Sequence, residues 1–407
     1  MFLTDYKDLP LKVLSYTGGH INYGGRVSDD WDRRCMMNVL ADFYSLDVLS
    51  EEHKYSASGI YHQIPTTSDH DGYMSYIRSL PINDTPEVFG LHDNANITFA
   101  QNETYSMLSS LLKLQAKTAA GGGKSREEVM EESAKDILER VPKPININSV
   151  IEKYPVLYEQ SMNTVLTQEV IRYNKLLKEI HKSLQDLLKA LKGLVVLSQE
   201  LEMMANSLYD NSVPALWAKK AYPSLKPLAQ WVADLEMRMQ FITNWIDNGN
   251  PTCYWISGFF FPQAFLTGTL QNFARRKVIS IDTITFGFKV QRESKDELKE
   301  SPKDGCFIYG LFAEGCRWDF TRHMLGESRP KELYTEMPVI WLQPESNRKA
   351  PTEGIYDCPV YKTLTRAGTL STTGHSTNFV FSMELPSEKE QKHWIKRGVA
   401  MLCALNY

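Results

Sequence analysis

The sequence predicts an α+β fold in which helices come first and a closed or nearly closed antiparallel sheet comes last. Two patterns predict it. Apolar residues recur in steps of four and three within residues 162–208, and strict apolar–polar alternation begins at about residue 279. A third feature, the aromatic-dense run YWISGFFFPQAFLTGTLQNFARR at 254–276, sits where the first pattern gives way to the second.

The elements follow in chain order. Gly24 and Gly25 break the chain after a helical start, and Ser28, Asp29 and Asp30 offer N-cap oxygens for a helix through Trp31, Met36, Val39, Leu40 and Phe43. HQIPTTSDHDGY reads as loop and MSYIRSLP as a short helix stopped by proline. TYSMLSSLLKLQAK is helical, AAGGGKS (119–125) is a flexible break, and SREEVMEESAKDILERV opens with a capping box at Ser125 and Glu128. Leu166, Val170, Tyr173, Leu177, Ile180, Leu184, Leu187 and Leu191 form one apolar stripe, with Lys175, Lys178, Lys182 and Gln185 opposite it. Gly193 divides this helix from LVVLSQELEMMANSL, and Gly249 ends a further helix in YPSLKPLAQWVADLEMRMQFITNWIDNG.

Ile284, Phe286, Phe288 and Val290 then alternate with Thr285, Gly287 and Lys289, the period of a strand. RESKDELKESPKDG (292–305) is a charged, solvated loop. GCFIYGLF, MPVIWL, YDCPVYKT, NFVFSMEL and WIKRGVAMLCAL are the other strand candidates, which makes six.

The bulk composition narrows the function. The 407 residues allow two or three domains, and 43% hydrophobic with 23% charged residues is ordinary globular composition. A net charge of −4 gives no bulk electrostatic case for nucleic acid or an anionic membrane. MFLTDYKDLP lacks the apolar stretch of a secretory signal, so the two sequons at Asn96 and Asn102 carry no expectation of glycosylation. The aromatic run is no membrane span, because Ser257, Gly258, Pro262, Gln263, Arg275 and Arg276 interrupt or close it. Its rings are expected to seal helices against sheet.

No chemistry-bearing constellation stands out. GGGKS at 121–125 lacks the glycine a phosphate loop needs at position 118, which is Thr, and follows a helix rather than a strand. The cysteines at 35, 253, 306, 316, 358 and 403 fit no zinc spacing and read as reduced, buried thiols. Cys358 and His375 share one stretch, but nothing marks an oxyanion donor, and inert packing is favoured over a thiolate–imidazole pair. His70 in SDHDG reads as surface loop. Arg26, Arg33 and Arg34 among Asp29, Asp30 and Asp32 read as a capped helix with local ion pairs, the alternative being a charged docking surface or a remote nucleotide sensor. Arg317-Trp318 and Glu327-Ser328-Arg329-Pro330 are expected to hold a loop between strands. A mechanical, scaffolding or interaction role is therefore favoured over catalysis, and no catalytic, cofactor-binding or metal-binding residue is assigned.

Six long segments resemble the C-terminal end of dynein heavy chains: GGHINYGGRVSDDWDRR, NDTPEVFGLHDNANITF, SGFFFPQAFLTGTLQNFARR, ESRPKELYTEMPVIWL, YDCPVYKTLTRAGTLSTTGHSTNFV and HWIKRGVAMLCAL. The resemblance runs nearly end to end, and GGGKSREE is more similar to axonemal than to cytoplasmic members. It implies that residues 1–101 are the small helical lid subdomain of the sixth AAA+ module. Residues 102–278 would be the helical part of the C-terminal domain, and 279–407 its partly open, six-stranded β-barrel. It further implies a non-catalytic part of a minus-end-directed microtubule motor, located in the cytoplasm, in the cytoskeleton of the ciliary axoneme. This part would tune the motor's force and processivity. ATP and Mg would bind in other modules of the parent and none in this stretch, which reads as an excised fragment. Implied partners are the remaining AAA+ modules, the microtubule through the parent's stalk, and dynein intermediate or light chains, with no nucleic acid and no membrane. A binding module whose barrel face docks an axonemal partner is the alternative, and a cysteine-dependent enzyme centred on Cys358 is a third reading.

Overall fold

The computed structural model describes residues 7–65, 67–114, 125–196, 198–369, 371 and 374–407. It is α+β. Four α-helices lie among the described residues up to 114: α1 (Leu11–Tyr16), α2 (Asp30–Phe43), α3 (His70–Ser79) and α4 (Asp93–Leu114). Asp29 caps α2, its Oδ1 accepting from the amides of Trp31 at 2.8 Å and Asp32 at 3.3 Å. The loop expected over HQIPTTSDHDGY ends early, because Asp69 caps α3 by accepting from Gly72 N at 2.8 Å and so draws 70–73 into the helix. Residues 119–124 of the expected flexible break lie outside the described residues.

The helical slab follows. It comprises α5 (Arg126–Arg140), α6 (Ile147–Lys153), α7 (Ser161–Leu191), α8 (Gln199–Tyr209), α9 (Ala215–Ala218) and α10 (Leu228–Asn248). The capping box at Ser125 and Glu128 forms on α5. Helix α7 has 31 residues, which makes it about 45 Å long. Seven of its stripe residues, from Leu166 to Leu187, have no exposed surface, and Leu191 is partly buried at its end. Burying each is worth about 1.5–3 kcal/mol, so the stripe anchors the slab. Gly249 ends α10 at φ 91°, which only glycine adopts without strain.

The aromatic run spans the junction: strand β1 (Cys253–Trp255), a tight turn at Ile256–Gly258, and helix α11 (Pro262–Lys277). Phe259 stacks on Phe265 at 4.5 Å and meets the edge of Phe241 at 5.6 Å. Phe260 takes edge contacts from Tyr173 and Tyr222 at 5.4 and 5.9 Å. One continuous core runs from Met130 in α5 through these rings to Ile308, Leu342, Cys358 and Met401 in the strands. The expected seal between helices and sheet is therefore present, with Phe261 as an exception at 40% exposed.

The six expected strands are β2 (Ile284–Val290), β3 (Cys306–Tyr309), β8 (Ile340–Ser346), β9 (Ile355–Tyr361), β10 (Phe379–Pro386) and β11 (Ala400–Leu402). The expected number was too small. Besides β1, the short strands β4 (Phe312–Glu314), β5 (Cys316–Asp319), β6 (Met324–Glu327) and β7 (Tyr334–Glu336) are also present. Runs of three or four residues are too brief to display alternation. Gly310, at φ 89°, splits GCFIYGLF into β3 and β4, and a Cβ there would lie 2.4 Å from the Trp255 ring. WIKRGVAMLCAL is also not one strand: helix α12 (Gln391–Lys396) precedes β11, because the Trp394 ring turns inward and its Nε1 donates to Ser387 Oγ at 2.7 Å.

The strands form sheets ordered β1-β3-β8-β2, β10-β9-β11-β4-β7 and β5-β6. Most pairs are antiparallel as expected, but β1 runs parallel to β3 and β11 parallel to β9. Among the described residues no strand pairing joins these sheets into a closed ring. β2 and β8 pair in register from Ile284↔Ser346 to Val290↔Ile340. Gln263 Nε2 ties α11 to the β10 carbonyl of Phe379 at 3.0 Å.

Phe259→Ala is expected to lower the unfolding free energy by about 3–5 kcal/mol, and the less buried Phe260→Ala by about 1.5–3 kcal/mol. Urea unfolding and limited proteolysis measure both. Unchanged stability with intact strands would show that the rings do not seal the two parts.

Candidate mechanical interface

Two places join the parts of this chain, and each is built on a polar device. The first lies beneath the aromatic run. Glu169, on the buried side of α7, has no exposed surface. Its carboxylate accepts from the amides of Phe260 at 2.5 Å and Phe261 at 3.1 Å, the two residues leading into α11. A carboxylate at a helix N-terminus satisfies amides that the helix leaves free and meets the positive end of its dipole. Arg172 lies 3.3 Å from the same carboxylate and stacks over Phe261. Burial nevertheless raises the Glu169 carboxyl above its ordinary range, against the pull of these donors. Nearby, Arg238 and Asp234 form a buried pair at 2.6 Å, with the guanidinium 3.7 Å above the Tyr222 ring. Glu169, Asp234 and Arg238 drew no notice in the sequence. The signal was there for Glu169, since Leu166, Val170 and Tyr173 place it on the stripe.

The second junction joins the N-terminal helices to the sheets. Arg34 Nη1 donates to the Asp357 carbonyl of β9 at 2.7 Å and Nη2 to Tyr356 Oη at 3.2 Å, and its guanidinium stacks 4.3 Å from the Trp31 ring. Trp31 in turn packs on Phe379 of β10 at 5.6 Å. Asp29 uses its second oxygen to accept from Ser376 N at 2.7 Å. At the other end of α2, Asp42 pairs with Lys392 at 2.6 Å and with Lys396, both on α12. Asn94 donates to Ser328 Oγ at 3.2 Å. Helix α12 thus holds α2 on one side, while His393 and Arg397 clasp Glu327 of the β5–β6 hairpin at 2.6 and 2.7 Å.

The arginine–aspartate cluster was expected to make local ion pairs. Among the described residues Arg33 and Arg34 make none: Arg33 donates to the Val27 carbonyl, and Arg34 reaches the sheet. The capped helix of that reading forms, and among the described residues only Arg34 and Asp29 of the cluster reach the sheet strands and their connection. Arg317 Nε donates to the Glu327 carbonyl across the β5–β6 hairpin at 3.0 Å, while the Glu327 carboxylate is taken by His393 and Arg397 rather than by Arg317. Five of the six quoted segments meet along this interface, and SGFFFPQAFLTGTLQNFARR occupies the first one.

A cleft of about 470 Å³ remains between α2, α4 and the sheet, lined by Arg34, Asn94, Glu314, Tyr361 and Arg366 among others. Its cations are already engaged, Arg366 by Glu314 and the Gly398 carbonyl. Cys358 is fully buried and its thiol is pushed up to about 12 by burial, which keeps it protonated and unreactive near neutral pH. Cys35 departs from the expectation of buried thiols, being exposed. His70 is exposed as expected, at the start of α3 rather than in a loop. Among the described residues no three metal-ligating side chains converge, and no helix is long and apolar enough to cross a membrane.

Burial works to raise the Asp42 carboxyl, yet hydrogen bonds from Lys392 and Lys396 hold it below its ordinary range. Such a group stabilises the α2–α12 contact at every pH above the unfolded value of about 3.9, and that contribution is lost as pH falls through the lower folded value. Hydrogen exchange over 29–43 should therefore stay constant from about pH 8 to 5 after correction for intrinsic rates, then rise below about pH 4. Arg34→Ala should raise exchange over 29–43 and 355–361 by the equivalent of about 1–3 kcal/mol, leaving α7 and α10 unchanged. Faster exchange throughout α7 would contradict a local role.

Comparison with known proteins accounts for this arrangement. Residues 1–95 match the AAA lid domain of the dynein heavy chain, and residues 101–403 match its C-terminal domain. Dynein axonemal heavy chain 1 of Rattus norvegicus is 66% identical over 407 residues, covering 100% of this chain and 9% of the relative. The human protein of the same name is also 66% identical, over 100% of this chain and 10% of its own length. Dynein axonemal heavy chain 3 of Mus musculus is 49% identical over 406 residues, covering 100% of this chain and 10% of the relative. The sequence thus spans about a tenth of the length of these curated relatives. With an AAA lid match, a C-terminal domain match and full-length likeness to several axonemal heavy chains, this chain belongs to the dynein heavy chains, as the C-terminal region of one of the axonemal kind.

Proposed function

We propose that the chain is the non-catalytic, structural and regulatory end of an ATP-driven, minus-end-directed microtubule motor of cilia and flagella, packing on the ring of AAA+ modules and tuning force and processivity. One observation carries this reading. Before Met130 the described residues contribute nothing to any cluster of buried hydrophobic side chains. Tyr16, Ile21, Tyr23, Leu46, Leu49 and Ile82 stand exposed in the N-terminal helices and their connections, as do Tyr105, Met107, Leu108 and Leu111 on α4. Apolar exposure on this scale marks an interaction surface, and neighbouring AAA+ modules of the same heavy chain suit it.

The division into a lid at 1–101, a helical part at 102–278 and a β part at 279–407 belongs to this reading, as does the view of the mixed sheets as an open barrel. ATP and Mg would act in other modules, the microtubule would be reached through the parent's stalk, and intermediate or light chains would join through the parent. The site of action would be the ciliary axoneme, within the cytoskeleton. The alternative of a partner-binding barrel face has less support. Beyond residue 279 the large exposed hydrophobics among the described residues are the scattered Phe320 and Tyr407, whereas the N-terminal helices expose many.

The test removes residues 279–407 from the intact heavy chain. ATP hydrolysis should persist while stall force or run length changes. Loss of hydrolysis would assign a catalytic part to this region, and unchanged force and run length would remove its regulatory role. The 407-residue chain alone should neither bind nor hydrolyse ATP in equilibrium dialysis and phosphate-release assays.

A further inference from the structure

The outward-facing lysines of α7 have no part in either junction. Lys175, Lys178 and Lys182 stand exposed along it, and among the described residues no carboxylate pairs with them. With Arg172, Lys220 and Phe260 they border a groove of about 520 Å³. Glu179, the one acid lining that groove among the described residues, is already engaged by Lys220, and Arg172 by Glu169. An unneutralised cationic row on a chain of net charge −4 is a local feature, not a reflection of overall charge.

We propose that this groove docks an acidic polypeptide segment, rich in Asp and Glu, of another protein. The proposal goes beyond the ring-packing reading and does not depend on it. The row's spacing favours a peptide. Residues three and four apart on a helix lie about 5–6 Å apart, so carboxylates at the same spacing on an antiparallel acidic helix would meet the ammonium groups in turn. A single-stranded nucleic acid is less suited, because it stacks bases on free aromatic faces, and Phe260 is already enclosed by Tyr173 and Tyr222. An anionic membrane would need apolar side chains beside the lysines, and Ile171 is the exposed large apolar residue on this face among those described.

The test is fluorescence anisotropy with a labelled Glu/Ala peptide of about 15 residues, long enough for helix formation. The 407-residue chain should bind it at low ionic strength, with affinity falling as salt rises. Lys175→Glu/Lys178→Glu/Lys182→Glu should weaken binding at least tenfold. The charge-matched control Lys299→Glu/Lys331→Glu/Lys349→Glu should stay within twofold. Circular dichroism checks that both variants fold, and a Lys→Gln version of the first triple separates lost attraction from new repulsion. Absence of binding, or equal weakening in both triples, would overturn the proposal. So would an oligonucleotide or a phosphatidylserine vesicle displacing the peptide at lower concentration than unlabelled peptide does.

Discussion

A carboxylate with no exposed surface holds the junction of this molecule together. Glu169 sits on the stripe that anchors the helical slab and reaches the two amides that begin α11. Through α11 and the aromatic turn before it, that contact fixes where the sheets lie against the slab. Burying a carboxylate is costly unless hydrogen bonds and a counter-charge compensate. Here two backbone donors and Arg172 offset part of that cost, and the raised carboxyl pKa reflects the part that remains. The Glu169 carboxylate itself has no exposed surface, which makes the same interaction stronger than it would be at a surface.

The two junctions differ in kind. The slab and sheets share one continuous apolar core. The N-terminal helices contact the sheets through charges, stacked rings and single hydrogen bonds: Arg34 with Trp31, Asp42 with the lysines of α12, Asn94 with Ser328. A polar contact of this kind opens at smaller free-energy cost than an apolar core. The slab and sheets are therefore expected to open together, at a higher free-energy cost than the polar contact that joins the N-terminal helices to the sheets.

Much of this was legible in the sequence because the signals were periodic and long. The stripe from Leu166 to Leu187 is buried throughout, and the alternation over Ile284–Val290 became a strand. The turn and cap signals at Ser125, Gly193 and Gly249 acted where they stand. What stayed hidden was short or distant. Strands of three or four residues leave no pattern, and the helix within WIKRG depends on Trp394 finding Ser387. Arg34 finds its partner 323 positions away, which no local reading of DDWDRR reveals. Glu169 was readable as a charge on an apolar face, but its purpose required knowing that α11 begins above it.

The most direct test of this account is urea unfolding of Glu169→Ala, followed both by tryptophan fluorescence and by hydrogen exchange in β8 and β9. Removing the carboxylate leaves two partly buried amides without their acceptor, at a cost of about 1–3 kcal/mol. If Glu169 joins slab to sheets, both probes should shift together to lower urea in a single transition. A slab that loosens while β8 and β9 keep full protection, or no shift in either, would contradict the claim that this carboxylate holds the two parts as one.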